Sequence, residues 1–184
     1  MQYSANIQKL KHSFLPADFI LTDWGSLEPY FIQLVEREIH SEADLEQWLK
    51  DMSEIEAFIS EDACWRQVRM TCDTENKALE EEFNFFFMEI QPKIQPYADQ
   101  LNKKLINCPF TTKLDQQKYF TYLRSVKKSI DLFRDANIPL QAESSVLQQQ
   151  YGTIAGKMMI EYEGQEFTLQ QAAKFLEHED RAVR

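Results

Sequence analysis

The chain has 184 residues, thirty acidic against twenty basic side chains and a formal net charge of −10, which repels a phosphate backbone and argues against nucleic acid as a partner. Thirteen Phe, seven Tyr and three Trp exclude a disordered tail, while four Gly and six Pro weigh against a turn-rich β fold and for long helices. Three cysteines without framework spacing fit reduced thiols, no stretch nears the ~20 apolar residues of a membrane span, and the start lacks a signal-peptide pattern, so a soluble cytoplasmic protein is expected. A chain of this length suits one domain, or a domain with a short extension, and can bury roughly 70% of its unfolded surface.

Residues 1–25 read as a lead-in, with the segment from Phe14 to Phe19 extended because Pro16 disfavours helix at Leu15. A first helix is predicted from about Ser26 to His40, with Leu27, Phe31, Leu34 and Val35 on one face. Ser41 and Asp44 form a capping box that opens a second helix, whose stripe is Leu45, Trp48, Leu49, Met52, Ile55 and Ile59. A third helix is expected around Ala63–Met70.

Asp73 or Thr74 then caps a long fourth helix, from Glu75 to about Asn107, kinked at Pro92 and Pro96. Its stripe runs from Leu79 through Phe83, Phe86, Phe87 and Ile90 to Leu105. The run Phe83–Phe87 is apolar almost all round, which reads as core, or as a face covered by a further domain. A fifth helix spans about Asp115–Asn137 and ends before Pro139, with Leu123, Val126, Ile130 and Phe133 on one side.

The pattern changes near residue 151. Two short runs between 154 and 167, split by Gly164, read as a β-hairpin. Thr168 and Gln171 form a second capping box, starting a helix through about Glu177. The closing Asp180-Arg181-Ala182-Val183-Arg184 reads as an N-cap and the first turn of a helix cut short. The expected fold is therefore mainly all-α, long antiparallel amphipathic helices with one hairpin near residues 154–167. Its parts are a lead-in at 1–25, a helical bundle at 26–140, a hairpin and helix at 151–177, and the start of a truncated helix at 180–184.

Catalytic chemistry leaves no mark on this pattern. The three histidines, His12, His40 and His178, lie in separate segments, and Cys64 and Cys72 stand roughly 80° apart around a helix. Each cysteine, Cys108 included, reads as a small buried apolar residue. His178-Glu179 opens a His-Glu-x-x-His zinc motif, but the fifth place is Ala182, so the motif fails and His178 reads as a residue facing a helix C-terminal dipole. There is no Gly-x-Ser-x-Gly elbow around Ser125, Ser129, Ser144 or Ser145, and no Gly-rich phosphate loop. The carboxylate run Glu80-Glu81-Glu82 reads as a solvated face. Lys157, Tyr151 and Arg124 could line a channel, although structural roles suit them better. No catalytic, cofactor-binding or metal residue is assigned.

Several strings in order carry a resemblance. Leu15-Pro16-Ala17-Asp18-Phe19 precedes Asp23-Trp24-Gly25-Ser26-Leu27 and Pro29-Tyr30-Phe31. Then come Trp65-Arg66, Arg69-Met70-Thr71-Cys72-Asp73-Thr74, Asn84-Phe85-Phe86 and Pro92. Further on stand Tyr122-Leu123-Arg124-Ser125-Val126, Phe133-Arg134, Asn137-Ile138-Pro139-Leu140 and Tyr151-Gly152. Leu169-Gln170-Gln171-Ala172-Ala173 and Asp180-Arg181-Ala182-Val183-Arg184 close the series. The set resembles the N-terminal region of the oligoendopeptidase F-like zinc metallopeptidases, relatives of thimet oligopeptidase.

That resemblance implies a cytoplasmic helical parent that cuts short peptides, with zinc on a His-Glu-x-x-His helix and a later Glu, all in the C-terminal half. The motif Glu would activate the zinc-bound water, and the N-terminal half would wall a deep channel. This chain carries no such motif, so it is expected to be an inactive, non-catalytic fragment whose partner is the C-terminal catalytic half. The alternative is a stand-alone helical interaction module that docks through residues 83–87 and the hairpin.

Overall fold

The computed structural model describes residues 13–182. The fold is mainly α-helical with one small antiparallel hairpin. The elements are α1 (Trp24–Glu36), α2 (Glu42–Cys72), α3 (Lys77–Phe85), a π-helical turn (Phe86–Ile90), α4 (Gln91–Asn107) and a 3-10 turn (Thr111–Lys113). They continue with α5 (Gln116–Leu132), α6 (Asn137–Gly156), β1 (Met159–Tyr162), β2 (Gln165–Thr168), α7 (Leu169–Ala172) and a second 3-10 stretch (Ala173–Glu177). Two compact units divide them. The first takes the described residues up to Cys64 together with Lys93–Asp135, and the second takes Trp65–Pro92 together with the described residues from Ala136.

The first unit holds most of the large buried side chains. Leu27, Phe31 and Leu34 of α1, and Leu45, Trp48, Met52 and Ile55 of α2, are all buried, as their spacing predicts. Leu101 and Leu105 of α4, Leu114, and Leu123 and Val126 of α5 join them. Full burial of each such side chain stabilises by about 1.5–3 kcal/mol, so these facing stripes fix the packing of the unit. Around them run aromatic contacts, including Phe19 against Tyr30 at 5.4 Å and against Phe58 at 5.0 Å. The second unit buries fewer large groups, chiefly Met70, Phe83, Phe86 and Ile90.

Helix ends show where local chemistry decided and where tertiary contacts overrode it. Residues 16–19 form a turn closed by the Phe19 N–H to the Pro16 carbonyl, not an extended segment. α1 begins at Trp24 rather than at about Ser26, capped by Asp23, whose Oδ1 accepts from the Ser26 N–H at 2.8 Å. At the other end α1 stops at Glu36 instead of His40, because Arg37 turns to ψ 122°. From there its guanidinium reaches the buried Asp51 at 2.5 Å. Ser41 and Asp44 act as expected at the start of α2, except that the Asp44 carboxylate accepts from the His40 N–H.

The expected break near residue 62 is absent, and α2 runs unbroken to Cys72. Ser60, Glu61 and Asp62 supply no Gly or Pro, so nothing there stops a helix already propagating. Asn76, rather than Asp73 or Thr74, caps the next helix, accepting from the Ala78 N–H at 3.2 Å. Directly before Pro92, where a kink is expected, the helix takes a π turn, in which the Gln91 N–H reaches the Phe86 carbonyl five residues back. Widening the turn relieves the clash that the proline ring would make with the carbonyl four residues earlier.

The stretch after α5 departs furthest from expectation. α5 ends at Leu132, and a separate twenty-residue helix, α6, occupies Asn137–Gly156. Pro139 stops nothing; it lies in the first turn of α6, where a missing N–H has no intrahelical partner to lose. Ile154 therefore belongs to α6, and the hairpin begins only at Met159. Its register pairs Ile160 with Phe167 and Tyr162 with Gln165. Glu163 and Gly164 both hold positive φ, 53° and 75°, as a two-residue hairpin turn requires. The Thr168–Gln171 capping box is complete and opens α7, which tightens into the 3-10 stretch.

Asp180 does not begin a helix within the described residues. Its Oδ1 accepts from the Ala182 N–H at 2.9 Å and closes a local turn, and Val183 and Arg184 lie outside the described residues. The cysteines correct a further expectation: Cys64 and Cys72 are exposed and Cys108 is half-buried. No helix among the described residues is long and apolar enough to cross a membrane.

Candidate functional site

The second unit contains a groove of about 600 Å³. α2 supplies Gln67, Met70 and Thr71 to it, with Thr74 just beyond that helix. Phe83 and Phe87 come from α3 and the π turn, and Gln170 from α7. α6 contributes Ser145, Gln148, Gln149, Gly152, Ala155 and Gly156. These α6 positions recur at three- and four-residue steps, so they share one face of the helix. A second, more open hollow of about 550 Å³ lies beside it, bounded by Glu75, Lys77, Glu80 and Lys157 among others.

None of the side chains lining the first groove carries a charge, although 27% of the chain is charged. Gln149 is 5% exposed. Its Nε2 donates to the Thr153 hydroxyl at 3.1 Å and to Glu80 Oε1 at 3.4 Å. Its Oε1 is buried without a partner, and so is the Oδ1 of Asn84. At Gly152 an added Cβ would meet nothing within 4 Å, so the wall is open there.

The residues weighed from sequence do not converge. His40 pairs its Nε2 with Glu38 at 3.2 Å on an exposed surface. His178 ends the last 3-10 stretch, and its Nδ1 accepts from the Asp180 N–H at 3.1 Å instead of donating to carbonyls. His12 lies outside the described residues. Tyr151 is exposed, Lys157 pairs with Glu75 at 4.0 Å, and Arg124 lies over the Phe120 ring at 5.8 Å. Among the described residues no three His, Cys, Asp or Glu side chains come together as a metal site.

Apart from Tyr162 in the second unit, the perturbed titrations sit in the first unit and serve structure. Desolvation pushes Glu54 up, but the backbone N–H groups of Ser13, Leu15 and Phe14 outweigh it and hold the carboxyl below the usual glutamate range. These bonds measure 2.9 Å from Ser13 and 2.8 Å from Leu15, so one carboxylate pins the lead-in to α2. Burial lowers the Lys104 ammonium, with the Arg37 charge adding to the effect. Desolvation raises Tyr122 well above its ordinary value, helped by the Glu56 carboxylate, and raises Glu56 itself. Glu56 keeps an exposed surface, so its shift carries no stability argument.

The groove was hard to see in the sequence. Gly152 and Gly156 lie among residues whose pattern pointed to no groove, and Gln148-Gln149-Gln150 showed no period of its own. Only the fold brings α2, the π turn and α6 around one hollow.

Residues 14–133 match the family model described as the peptidase M3 N-terminal domain, which covers more than half of the chain. The fold is shared with an X-ray structure, at 3.1 Å, of a protein described as an oligoendopeptidase F. The TM-score is 0.78 and the identity 24%, over 88% of this chain and 29% of that one. The chain thus spans less than a third of that protein's length. No curated protein matches it.

Proposed function

Because the chain belongs to the peptidase M3 family as its N-terminal domain, we propose that it is the non-catalytic helical region of a zinc-dependent oligoendopeptidase. The family match over residues 14–133 carries this reading, and the shared fold with 29% of a much longer protein supports it. The described residues offer zinc no converging ligand set, so no catalytic step is assigned to them. In this reading the metal-binding His-Glu-x-x-His helix lies C-terminal to the domain. The parent hydrolyses short peptides in the cytoplasm, and the partner of this domain is the catalytic half of the same polypeptide. The helices of the domain wall the channel through which peptides reach that half.

The test is to express the whole reading frame that contains the chain and, separately, the chain itself. Both are assayed for zinc content and for cleavage of blocked fluorogenic peptides. The expected outcome is zinc-dependent turnover by the longer polypeptide and none by the chain. Turnover by the chain alone, or none by the longer product when loaded with zinc, overturns the proposal.

One observation favours a second reading, a domain that works by docking. Leu140, Leu147, Tyr151 and Ile154 are all more than half exposed, and their spacing aligns them along the outer face of α6. Retention of a partner protein by a chain that has no catalytic counterpart in its reading frame would favour that reading.

A further inference from the structure

The two units treat their apolar side chains in opposite ways. Among the described residues the first unit leaves four large apolar side chains exposed, Ile20, Ile32, Phe120 and Leu132, and buries many more. The second unit reverses the balance: it buries Met70, Phe83, Phe86 and Ile90 and leaves thirteen exposed. Four of the thirteen, Leu140, Leu147, Tyr151 and Ile154, stand at 56–74% exposure along one face of α6. Met158 and Met159, about half exposed, carry the apolar run from the end of α6 into β1. Single exposed apolar groups are ordinary, but so many on one unit mark a surface that something else covers.

The hairpin shows the same incompleteness. Its sheet has two strands among the described residues, so each keeps one edge without a neighbouring strand. Met159 and Ile160 point to opposite faces, as successive strand residues do, and both are exposed, so neither face of β1 is closed. A two-stranded sheet by itself is marginal in water and gains stability from a third strand or a packed element. α7, which packs on it, has four residues.

Charge and the comparisons point to the cover. A second copy of this chain is a poor one, because each copy carries a net charge of −10. The family model ends at residue 133, before α6 begins, whereas the fold likeness covers 88% of the chain and so runs past that point. It extends over only 29% of the other protein, in which the same fold sits within a much longer chain. A segment of the same polypeptide docks at a high effective concentration set by its linker. We propose that the outer face of α6 and the open strand β1 are buried against apolar segments of the C-terminal half of the parent, so that the second unit is one side of a core shared with that half. The inference rests on the reading that a catalytic half follows this domain, and it assigns the surface that joins the two.

The experiment is hydroxyl-radical footprinting, read by mass spectrometry, of the full chain and of the polypeptide encoded by its whole reading frame. Tyr151, Met158 and Met159 are the reporters, and Phe120, exposed in the first unit, is the control. Oxidation of the reporters is expected to fall at least about fivefold in the longer polypeptide, as they pass from the surface into a core, while Phe120 changes less than about twofold. A paired variant, Leu147→Glu with Ile154→Glu, puts charge on the face. It is expected to leave the melting temperature of the chain within about 2 °C, because surface substitutions cost little. The same pair is expected to lower that of the longer polypeptide by at least about 5 °C, because a core cannot house unpaired charge.

Equal oxidation of the reporters in the two polypeptides overturns the inference, as does a reading frame that supplies no further chain. Reporters already protected in the chain that open on dilution would place a second copy on the face, and overturn it too. A fall at the reporters matched at Phe120 would mean protection that is not specific to this face, with the same consequence. These outcomes are read on unsubstituted protein, so they stand even if the paired variant fails to fold. A longer polypeptide as stable with both glutamates as without them also counts against the inference. Peptide cleavage decides the parent reading separately. Protected reporters in a longer polypeptide that cleaves no peptide sink the peptidase reading alone, and open reporters in one that does cleave sink the interface alone.

Discussion

The Lys104 ammonium and the Trp48 indole N–H meet at one acceptor, the carbonyl oxygen of Leu34, each at 2.9 Å. Lys104 also donates to the carbonyls of Val35, at 2.8 Å, and Arg37, and its charge sits 5.8 Å from the Trp48 ring. The end of α1 is thereby capped by side chains from α4 and α2, where the helix itself leaves carbonyls unsatisfied. Lys104→Met keeps the stem and removes the donors, and should cost about 1–2 kcal/mol. Trp48→Phe should cost a similar amount from the lost indole bond. The pair should cost less than the sum, because both act on the Leu34 oxygen. Urea unfolding with an unchanged slope checks all three.

Glu54 makes the first unit sensitive to acid. Its folded pKa is depressed, so its contribution is present above the ordinary glutamate value of about 4.5 and is lost as pH falls through the folded value. Glu54→Gln should lower stability at neutral pH and flatten the fall below about pH 4.5. Unfolding midpoints between neutral pH and pH 3 read this out. A parallel acid profile in both proteins would show that the Ser13–Leu15 amides do not hold a carboxylate in solution.

Gly152 lies inside α6 with space around it. Gly152→Ala should therefore raise stability by about 0.5–1 kcal/mol, from helix propensity and a less flexible unfolded chain. Thermal unfolding checks this, with a rise in melting temperature as the expected outcome.

The hairpin pairs Glu161 directly with Glu166. Like charges facing each other across strands destabilise, so Glu166→Lys should gain about 0.2–1 kcal/mol, and more at low salt. Gly164→Ala should work in the opposite direction, because φ at that residue is +75°. Hydrogen exchange at the amides of β1 and β2 separates the two effects from the stability of the rest of the chain.

Phe85 and Phe86 are neighbours with different fates. Phe86 is 2% exposed and Phe85 38%. Phe86→Ala should cost about 3–5 kcal/mol, and Phe85→Ala well under half of that. Equal losses would mean that the Phe85 face is covered in solution. Thermal unfolding at matched concentrations distinguishes the cases, and a loss that shrinks on dilution would identify self-association as the cover.

Sequence by itself determined the helical class, the apolar stripes of α1, α2 and α5, the Ser41 and Thr168 starts and the existence of the hairpin. Each of these is a local matter: a 3.6-residue period, a cap side chain within three residues of the N–H it satisfies, or a glycine where φ must be positive. The ordered strings between Leu15 and Phe133 also pointed to the family that the comparison then showed.

Tertiary structure decided what no local pattern holds. α6 escaped notice because apolar residues line its outer face, at Leu147 and Ile154, while small and amide residues line its inner one, so no single stripe marks it. The end of α1 was set by Lys104, 70 positions from Leu34 along the chain, and by Asp51 drawing Arg37 out of the helix. The groove exists only because α2, the π turn and α6 converge. A hollow has no sequence signal of its own, since what defines it is the atoms that other segments leave out.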